Sequence, residues 1–495
     1  MGRGPDGRRL ATETRDADGV TALLATARRE AALPALRLDA EGRRHIDMRA
    51  VAALALPLVL NSTVQAALNL TDTWFIGRLS TAATAAIAAV HWLALLAIFL
   101  IGGVAMGVQT LVAQAYGAGR FRRTTRIAWM GLWASLLTIP AFGLTIAVGP
   151  PMISWFGFTP AVETLAIEFW VPRMAGGPLA AALWAAVAFF NGIGRTRIPL
   201  AIGVVVLASN AVLNEIFIFR FGWGMAGAAW ATTCAELVGV ALAIRMILAQ
   251  DAQRFAPHLT WRPSVPRIVA LIALGLPMAM TACADLGAAA LFQLMQVQAG
   301  IVDGAATQIV TIFTAIAYMP GIGLALAGTT LVGQAIGAGD RGWAERLGNR
   351  VIAIVACYMG GIGLVIALVG DWLVPLFVNA ADPRAADVIA LCSSLLWFAA
   401  AYQFFDGVNL ASALSLRGAG DARVPALIVL ACGSLLFLPL THYLTFAPGQ
   451  GWLGGVPGLG LGAVGGWSAI LVYVVAIGLA LWLRWRHGAW KLIRL

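Results

Sequence analysis

Charged residues are scarce in this chain: they make up 11% of its 495 residues, against about 25% in a typical soluble domain. Hydrophobic residues make up 60%, and the mean hydropathy is +0.84. This balance excludes a soluble enzyme, a disordered protein and a fibrous one. The 55 glycines and 21 prolines are dispersed among apolar runs, which transmembrane helices tolerate. The chain is predicted to be a polytopic membrane protein.

Lysine, cysteine and histidine are also rare. Lys491 is the single lysine among 33 basic residues, and the net charge is +10. In a soluble protein that excess would suggest nucleic acid, but here the basic residues are expected to mark one side of a bilayer, and no nucleic-acid partner is predicted. The five cysteines lie in apolar stretches without metal-ligand spacing, which indicates buried thiols. The five histidines are far apart and no HExxH, GxSxG or P-loop pattern occurs, so neither an enzyme nor a cofactor is expected.

From about residue 50 the chain is a series of apolar segments, each near or above the roughly 20 residues that a spanning helix needs. Helix is the expected element because an open sheet would leave backbone groups unpaired in lipid. We predict twelve transmembrane helices, at about 50–76, 83–114, 124–148, 163–190, 199–219, 224–249, 266–299, 304–335, 350–372, 387–415, 424–446 and 460–484.

The distribution of arginine predicts the orientation. If the N-terminus is inside, 29 basic residues lie in the tail, in the loops that follow even-numbered helices and at the C-terminus, against three on the other side. Arg173, inside the fourth helix, completes the set. This split follows the positive-inside rule, so both termini are predicted to be cytoplasmic.

The two halves of the chain repeat each other. Leu111-Val-Ala-Gln-Ala-Tyr-Gly-Ala-Gly119 matches Leu331-Val-Gly-Gln-Ala-Ile-Gly-Ala-Gly339 at an offset of 220, and Gly192 to Pro199 matches Gly418 to Pro425 at an offset of 226. Such a repeat indicates two pseudo-symmetric six-helix lobes with a cleft between them, which suits alternating access better than a channel. The predicted regions are a cytoplasmic basic N-terminal tail (1–47), an N-lobe (48–249), a cytoplasmic linker (250–263), a C-lobe (264–487) and a cytoplasmic C-terminus (488–495).

Among the carboxylates within the apolar segments, three carry the most information: Asp72, Asp285 and Asp406. Each costs roughly 2.5–3.5 kcal/mol at mid-membrane on an insertion scale, so these groups are expected to have partners or to face a water-filled cavity. We interpret all three as parts of a cation or substrate site. The alternatives are hydrogen bonds between helices, a place in the outer interface for Asp72, and a structural pair with an arginine for Asp406.

Polar side chains accompany the carboxylates at helical spacing. A stripe on the first helix ends at Asp72, Tyr402 precedes Asp406 by four residues, and a pair of asparagines one turn apart occupies the fifth helix. The asparagine pair could instead hydrogen-bond neighbouring helices. The predicted lining of a substrate cavity comprises Gln65, Asn69, Asn210, Asn214 and Gln296.

These residues resemble the motifs of the MATE (multidrug and toxic compound extrusion) family, over about 48–485. The resemblance rests on Pro57 through Asp72 and Gly77, the twin Leu-Val-x-Gln-Ala-x-Gly-Ala-Gly motifs, Asn210-x-x-x-Asn214-x-x-Phe217-Ile218, and Tyr402-x-x-x-Asp406 followed by Leu416-Arg417-Gly418. It implies two six-helix lobes in a V shape around a central cavity. It also implies export of organic cations against an inward flow of Na⁺ or H⁺.

The resemblance also implies roles for single residues. Asp72 matches the acidic residue of the N-lobe cavity, and Pro57 matches a proline linked to helix bending. Asp285 and Asp406, with Tyr402, match the acidic cation site of the NorM-like branch, where Na⁺ could bind at the two aspartates. Asp285 replaces the more usual glutamate there, eight residues after Pro277.

Three positions depart from the NorM-like pattern. Asn214 stands where some relatives carry aspartate, Glu215 stands where some carry proline, and Arg173 is similar to the DinF-like branch. The predicted function is a secondary antiporter for small-molecule organic cations, expected as a monomer in the lipid bilayer of a bacterial inner membrane. The alternative is a flippase for a lipid-linked precursor. Such a flippase should line its cleft with several arginines, whereas the intramembrane charge here is mostly acidic.

Overall fold

The computed structural model describes residues 33–378, 382–452, 455 and 457–493. In this part of the chain, eleven helices are long and apolar enough to cross a membrane, and the number is twelve if two shorter helices joined by a 46° bend are counted as one span. The predicted all-helical membrane fold is therefore confirmed. The spans are α1 (Met48–Gly77), α2 (Thr81–Gly117), α3 (Phe121–Trp155), α4 (Pro160–Ala175 with Gly177–Gly192), α5 (Arg197–Arg220), α6 (Gly224–Leu248), α7 (Val265–Ala299), α8 (Ile301–Gly337), α9 (Arg341–Phe377), α10 (Ala385–Ala419), α11 (Arg423–Thr445) and α12 (Gly462–His487).

Several spans depart from regular α-helix. The span predicted over 163–190 consists of two helices, because α4 breaks at Gly176. Pro178 follows the break; in an unbroken helix it would leave the carbonyl of Met174 without a donor, and its ring would clash with that carbonyl. A 3₁₀ segment, Gly103–Gly107, interrupts α2. The equivalent helices α5 and α11 both contain π-helical turns, at Glu215–Arg220 and Gly433–Phe437.

The core is divided between the two halves of the chain. Two large apolar clusters are built mainly from α1–α6, and two more from α7–α12. Contacts between the halves repeat with the sequence. Gly103 of α2 packs against Ala279 of α7, and Gly323 of α8 packs against Val59 of α1. Both pairs are related by the offset of 220 that the sequence motifs show.

A duplicated set of hydrogen bonds joins the halves where α2, α4, α8 and α10 end. We call this the basic end, because arginines lie in the loops that follow those helices or on the helix residues next to them. Thr110 Oγ1 donates to the carbonyl of Arg417, and Thr330 Oγ1 donates to that of Asn191, both at 2.9 Å. Two glutamines repeat the pattern one turn further on. The halves are therefore tied together at the basic end.

A short β-hairpin precedes α1. Strand β1 (Leu36–Leu38) pairs antiparallel with β2 (Arg44–Ile46). The hairpin packs on the start of α9, where the indole of Trp343 donates to the carbonyl of Pro34 at 2.9 Å and Arg44 pairs with Asp340 at 2.8 Å. The sequence predicted a polar tail here without strands, and residues 1–32 of that tail lie outside the described residues.

Candidate functional site

Asp72 lies at the centre of a polar cluster in the first half. The side-chain amide of Asn214 donates to its Oδ1 at 2.8 Å, and the hydroxyl of Thr232 donates to its Oδ2 at 3.1 Å. Three helices meet here, because Asp72 belongs to α1, Asn214 to α5 and Thr232 to α6. Hydrogen-bond donors on both oxygens stabilise the carboxylate, and they offset the free-energy cost of placing it in an apolar segment.

The two asparagines of α5 extend the hydrogen-bond network around Asp72. Asn214 also donates to Asn210 Oδ1 at 3.0 Å, and Asn210 donates to Thr232 Oγ1 at 3.2 Å. Both asparagines are fully buried, so the structure places them behind Asp72 rather than on an open surface. The sequence predicted them as part of a substrate-cavity lining; in the structure they hydrogen-bond between helices, and Asn214 contacts the Asp72 carboxylate directly.

The polar stripe of α1 separates into two environments. Gln65 and Asn69 are exposed, and their side chains have no hydrogen-bond partner within the described ranges. Ser62 is buried and donates to the carbonyl of Leu58. Gln65 and Asn69 are therefore free to contact a bound molecule, whereas Asp72 is already engaged by its neighbours.

A salt bridge that the sequence analysis missed lies beside this cluster. Arg173 of α4 pairs with Glu236 of α6 through two contacts, Nη1 to Oε2 at 3.2 Å and Nη2 to Oε1 at 3.1 Å. Glu236 lies midway along α6, one turn after Thr232. A carboxylate in the middle of an apolar segment is the same signal that identified the three aspartates, so the sequence contained the information needed to find it.

Asp406 of α10 anchors a second polar cluster, in the other half. Tyr402 donates its hydroxyl to Oδ2 at 3.3 Å, and Asn409 donates to Oδ1 at 3.2 Å. Asp406 itself is buried. No arginine or lysine in the described part of the chain forms an ion pair with it, so the arginine-pair alternative finds no support.

Asp285 of α7 faces the same region and is exposed. It lies close enough to Asp406 for the two carboxylates to repel each other electrostatically. Tyr318 of α8 and Tyr473 of α12 are within electrostatic range of both. The sequence did not indicate these tyrosines, because each stands on a different helix with no spacing relation to the aspartates.

Two predicted residues lie elsewhere. Gln296 is fully buried and donates to Thr445 Oγ1 at 3.4 Å, so it contacts α11 and belongs to neither carboxylate cluster. Pro57 is buried within α1, two residues before the close contact of Val59 with α8. A bend at this proline would therefore move α1 against the other half.

Comparison with known proteins shows the family of the chain. The family model described as MatE matches residues 57–216 and 277–442. A probable multidrug resistance protein NorM of Rhizobium meliloti (strain 1021) is 30% identical over 454 residues, covering 88% of this chain and 92% of the relative. The corresponding protein of Mesorhizobium japonicum is 31% identical over 464 residues, covering 88% and 94%.

Solved structures share the fold. A crystal structure of MATE in complex with MaL6 has a TM-score of 0.78 at 20% identity, covering 89% of this chain and 96% of the other. The matching family model extends over both repeats and includes Pro57, Asp72, Asp285 and Asp406. The chain belongs to the MATE family of membrane transporters, and it is not an enzyme.

Proposed function

We propose that the chain is a secondary antiporter that exports organic cations in exchange for Na⁺ or H⁺. The relatives' description as multidrug resistance proteins supports the class of cargo. The observation that carries the proposal is the pair formed by Asp285 and Asp406: two neighbouring carboxylates, one exposed and one buried, with no basic ion-pair partner among the described residues. Such a pair requires a cation from outside the protein.

The coupling site comprises Asp285, Asp406 and Tyr402, with Asp72 contributing from the first half. Carboxylate, hydroxyl and amide oxygens are the ligands that hard cations prefer, and a proton bound to either aspartate would relieve the same repulsion. An organic cation competes for these charges. Mutually exclusive occupancy couples the two flows, because each ligand favours the state that it binds better.

The conformational step is a rocking of the two lobes. The structure has the lobes joined at the basic end, so opening there requires the duplicated hydrogen bonds to break. Pro57 lies next to the α1–α8 contact and provides a place where α1 can bend. Gln65 and Asn69 are exposed polar groups of α1 that a substrate would meet. We also infer that both termini are cytoplasmic and that the transporter works as a monomer in a bacterial inner membrane.

The charge distribution disfavours the flippase alternative. A pyrophosphate-bearing lipid needs uncompensated cations in the cleft. Arg173 is neutralised by Glu236, and Arg417 is half-buried between the halves, where its guanidinium donates to the carbonyl of Met106 at 2.6 Å. The carboxylates that remain uncompensated attract cations.

The test is efflux of tetraphenylphosphonium from proteoliposomes, with Na⁺ and pH gradients imposed separately. One of the two gradients should drive efflux by the wild-type protein, which identifies the coupling ion. Asp406→Asn should abolish efflux driven by that gradient. Asp371→Asn is the matched control, because Asp371 is an exposed aspartate near the end of α9 whose contact is with Ser393. Normal ion-driven efflux by Asp406→Asn would refute the coupling site. Absence of efflux under both gradients would refute the function.

A further inference from the structure

Arg173 and Glu236 form a compensated ion pair beside the one aspartate of the first-half cluster. The pair is nearly buried, with 14% of the arginine side chain and 9% of the glutamate side chain exposed. Both guanidinium nitrogens are engaged with both carboxylate oxygens, which is the strongest geometry for such a pair. The arrangement fixes one positive and one negative charge within the membrane segment.

The pair lies within electrostatic range of Asp72. Arg173 attracts the Asp72 carboxylate, and Glu236 repels it. His91 of α2 also lies within electrostatic range of Arg173. A cation bound at Asp72 therefore experiences the fields of both Arg173 and Glu236.

The polar clusters of the two halves differ in their net formal charge. With Arg173 and Glu236 compensating each other, the first-half cluster keeps the single negative charge of Asp72. The second half has two, on Asp285 and Asp406, without a basic ion-pair partner among the described residues. The repeat does not reproduce the charges: at the offset of 220, Asp285 corresponds to Gln65 and Asp72 corresponds to Phe292.

We propose that the Arg173–Glu236 pair sets the charge selectivity of the first-half site, which takes organic monocations because Arg173 cancels its second carboxylate. Without Arg173 the site would present two negative charges and favour dications. Without Glu236 the charges of Asp72 and Arg173 would cancel, and the site would bind cations of either class weakly. This inference rests on the proposed export of organic cations and adds the charge of the preferred cargo.

The pair is also a structural link between α4 and α6, close to the break in α4. Thr233, three residues before Glu236, donates to the carbonyl of Pro172 at 3.2 Å. Loss of this link would loosen the site for all ligands. A purely structural role would therefore weaken monocation and dication binding by the same factor. Charge selectivity instead predicts that loss of Arg173 and loss of Glu236 change the ratio of the two affinities in opposite directions.

The experiment measures dissociation constants of tetraphenylphosphonium, a monocation, and methyl viologen, a dication, for purified protein. Titrations of Arg173→Gln, Glu236→Gln and the double variant are run with and without Asp406→Asn, so that binding in the second half is recognised. Arg173→Gln should shift the affinity ratio about tenfold or more toward the dication, and Glu236→Gln should shift it away. The double variant restores the net charge and should return to within about threefold of wild type.

Arg484→Gln is the matched control, because Arg484 pairs with Asp421 at 2.8 Å at the basic end; it should leave the ratio unchanged. If Arg173→Gln fails to fold, the opposite shift in Glu236→Gln and the recovery in the double variant still decide the question. An unchanged ratio in both single variants, or equal losses for both ligands, would overturn the proposal. If the wild-type protein binds neither cation, the proposed function fails rather than the role of the pair.

Discussion

The side-chain amide of Gln334 donates to the carbonyl oxygen of Gly192 at 2.8 Å, joining the second half of the chain to the first. Its repeat partner Gln114 donates to Gly418 at 3.1 Å. The sequence predicts that the two glutamines are equivalent, since they occupy the same position of the twin motifs. It does not predict that each reaches across to the other half, which depends on how the halves meet.

Replacing both glutamines by alanine should favour opening at the basic end. Each lost hydrogen bond is worth about 1 kcal/mol, so Gln114→Ala and Gln334→Ala should each shift the ratio of closed to open protein about fivefold. Distances between spin labels at residues 122 and 346, near the starts of α3 and α9, report the change. Gln253→Ala, at an exposed glutamine of the linker, is the control. An unaltered distance distribution in the double variant would show that these bonds do not hold the end closed.

Substitutions at two glycines can test how closely α2 and α8 approach each other. A Cβ at Gly117 would overlap the carbonyl of Gln334, and one at Gly337 would overlap the carbonyl of Gln114. Because the obstacle is backbone, Gly117→Ala and Gly337→Ala should each destabilise the closed arrangement by about 1–3 kcal/mol. Thermal unfolding and the same spin-label pair measure the effect, which the repeat predicts to be similar for the two. Gly361→Ala, whose Cβ meets no described atom within 4 Å, should behave as wild type.

Removal of the Tyr402 hydroxyl should have different effects on Na⁺ coupling and on H⁺ coupling. In Tyr402→Phe, Asp406 loses a donor to its carboxylate form and the site loses an oxygen. If Na⁺ is the coupling ion, its apparent affinity should fall about threefold to tenfold. If H⁺ is the coupling ion, proton binding should strengthen and the transport midpoint should move to higher pH. Tyr443→Phe, on α11, is the control, and identical ion dependence in both variants would exclude Tyr402 from the site.

Sequence patterns predicted what depends on local composition. Twelve spans follow from hydropathy, and Asp72, Asp285 and Asp406 were found because charge in an apolar run is costly. The pairing of Arg173 with Glu236 joins residues 63 positions apart, so it depends on the packing of α4 against α6. The burial of Gln296 against α11 likewise follows from which helices are neighbours, which helical spacing alone does not determine.

The hairpin before α1 was not predicted because its strands have three residues each, which is too short for alternation to indicate a strand. Its contact with the other half can be tested at Trp343, which is 2% exposed and donates to the carbonyl of Pro34. Trp343→Phe keeps an aromatic ring in the core and removes that hydrogen bond. The loss should cost about 1 kcal/mol and raise the population of detached hairpin about fivefold.

Trypsin cleavage after Arg43, in the turn of the hairpin, measures this population, because proteolysis follows the fraction of opened protein when reclosing is fast. Trp372→Phe is the matched control, since Trp372 is 85% exposed on the far part of α9 and makes no hydrogen bond within the described residues. Faster cleavage in Trp343→Phe alone would establish that the hairpin is held on α9 through Trp343. Since the hairpin continues into α1, which belongs to the first half, its attachment to α9 restrains the relative motion of the two halves. Equal cleavage rates in both variants would mean that Arg44 and Asp340, or the strands themselves, hold it instead.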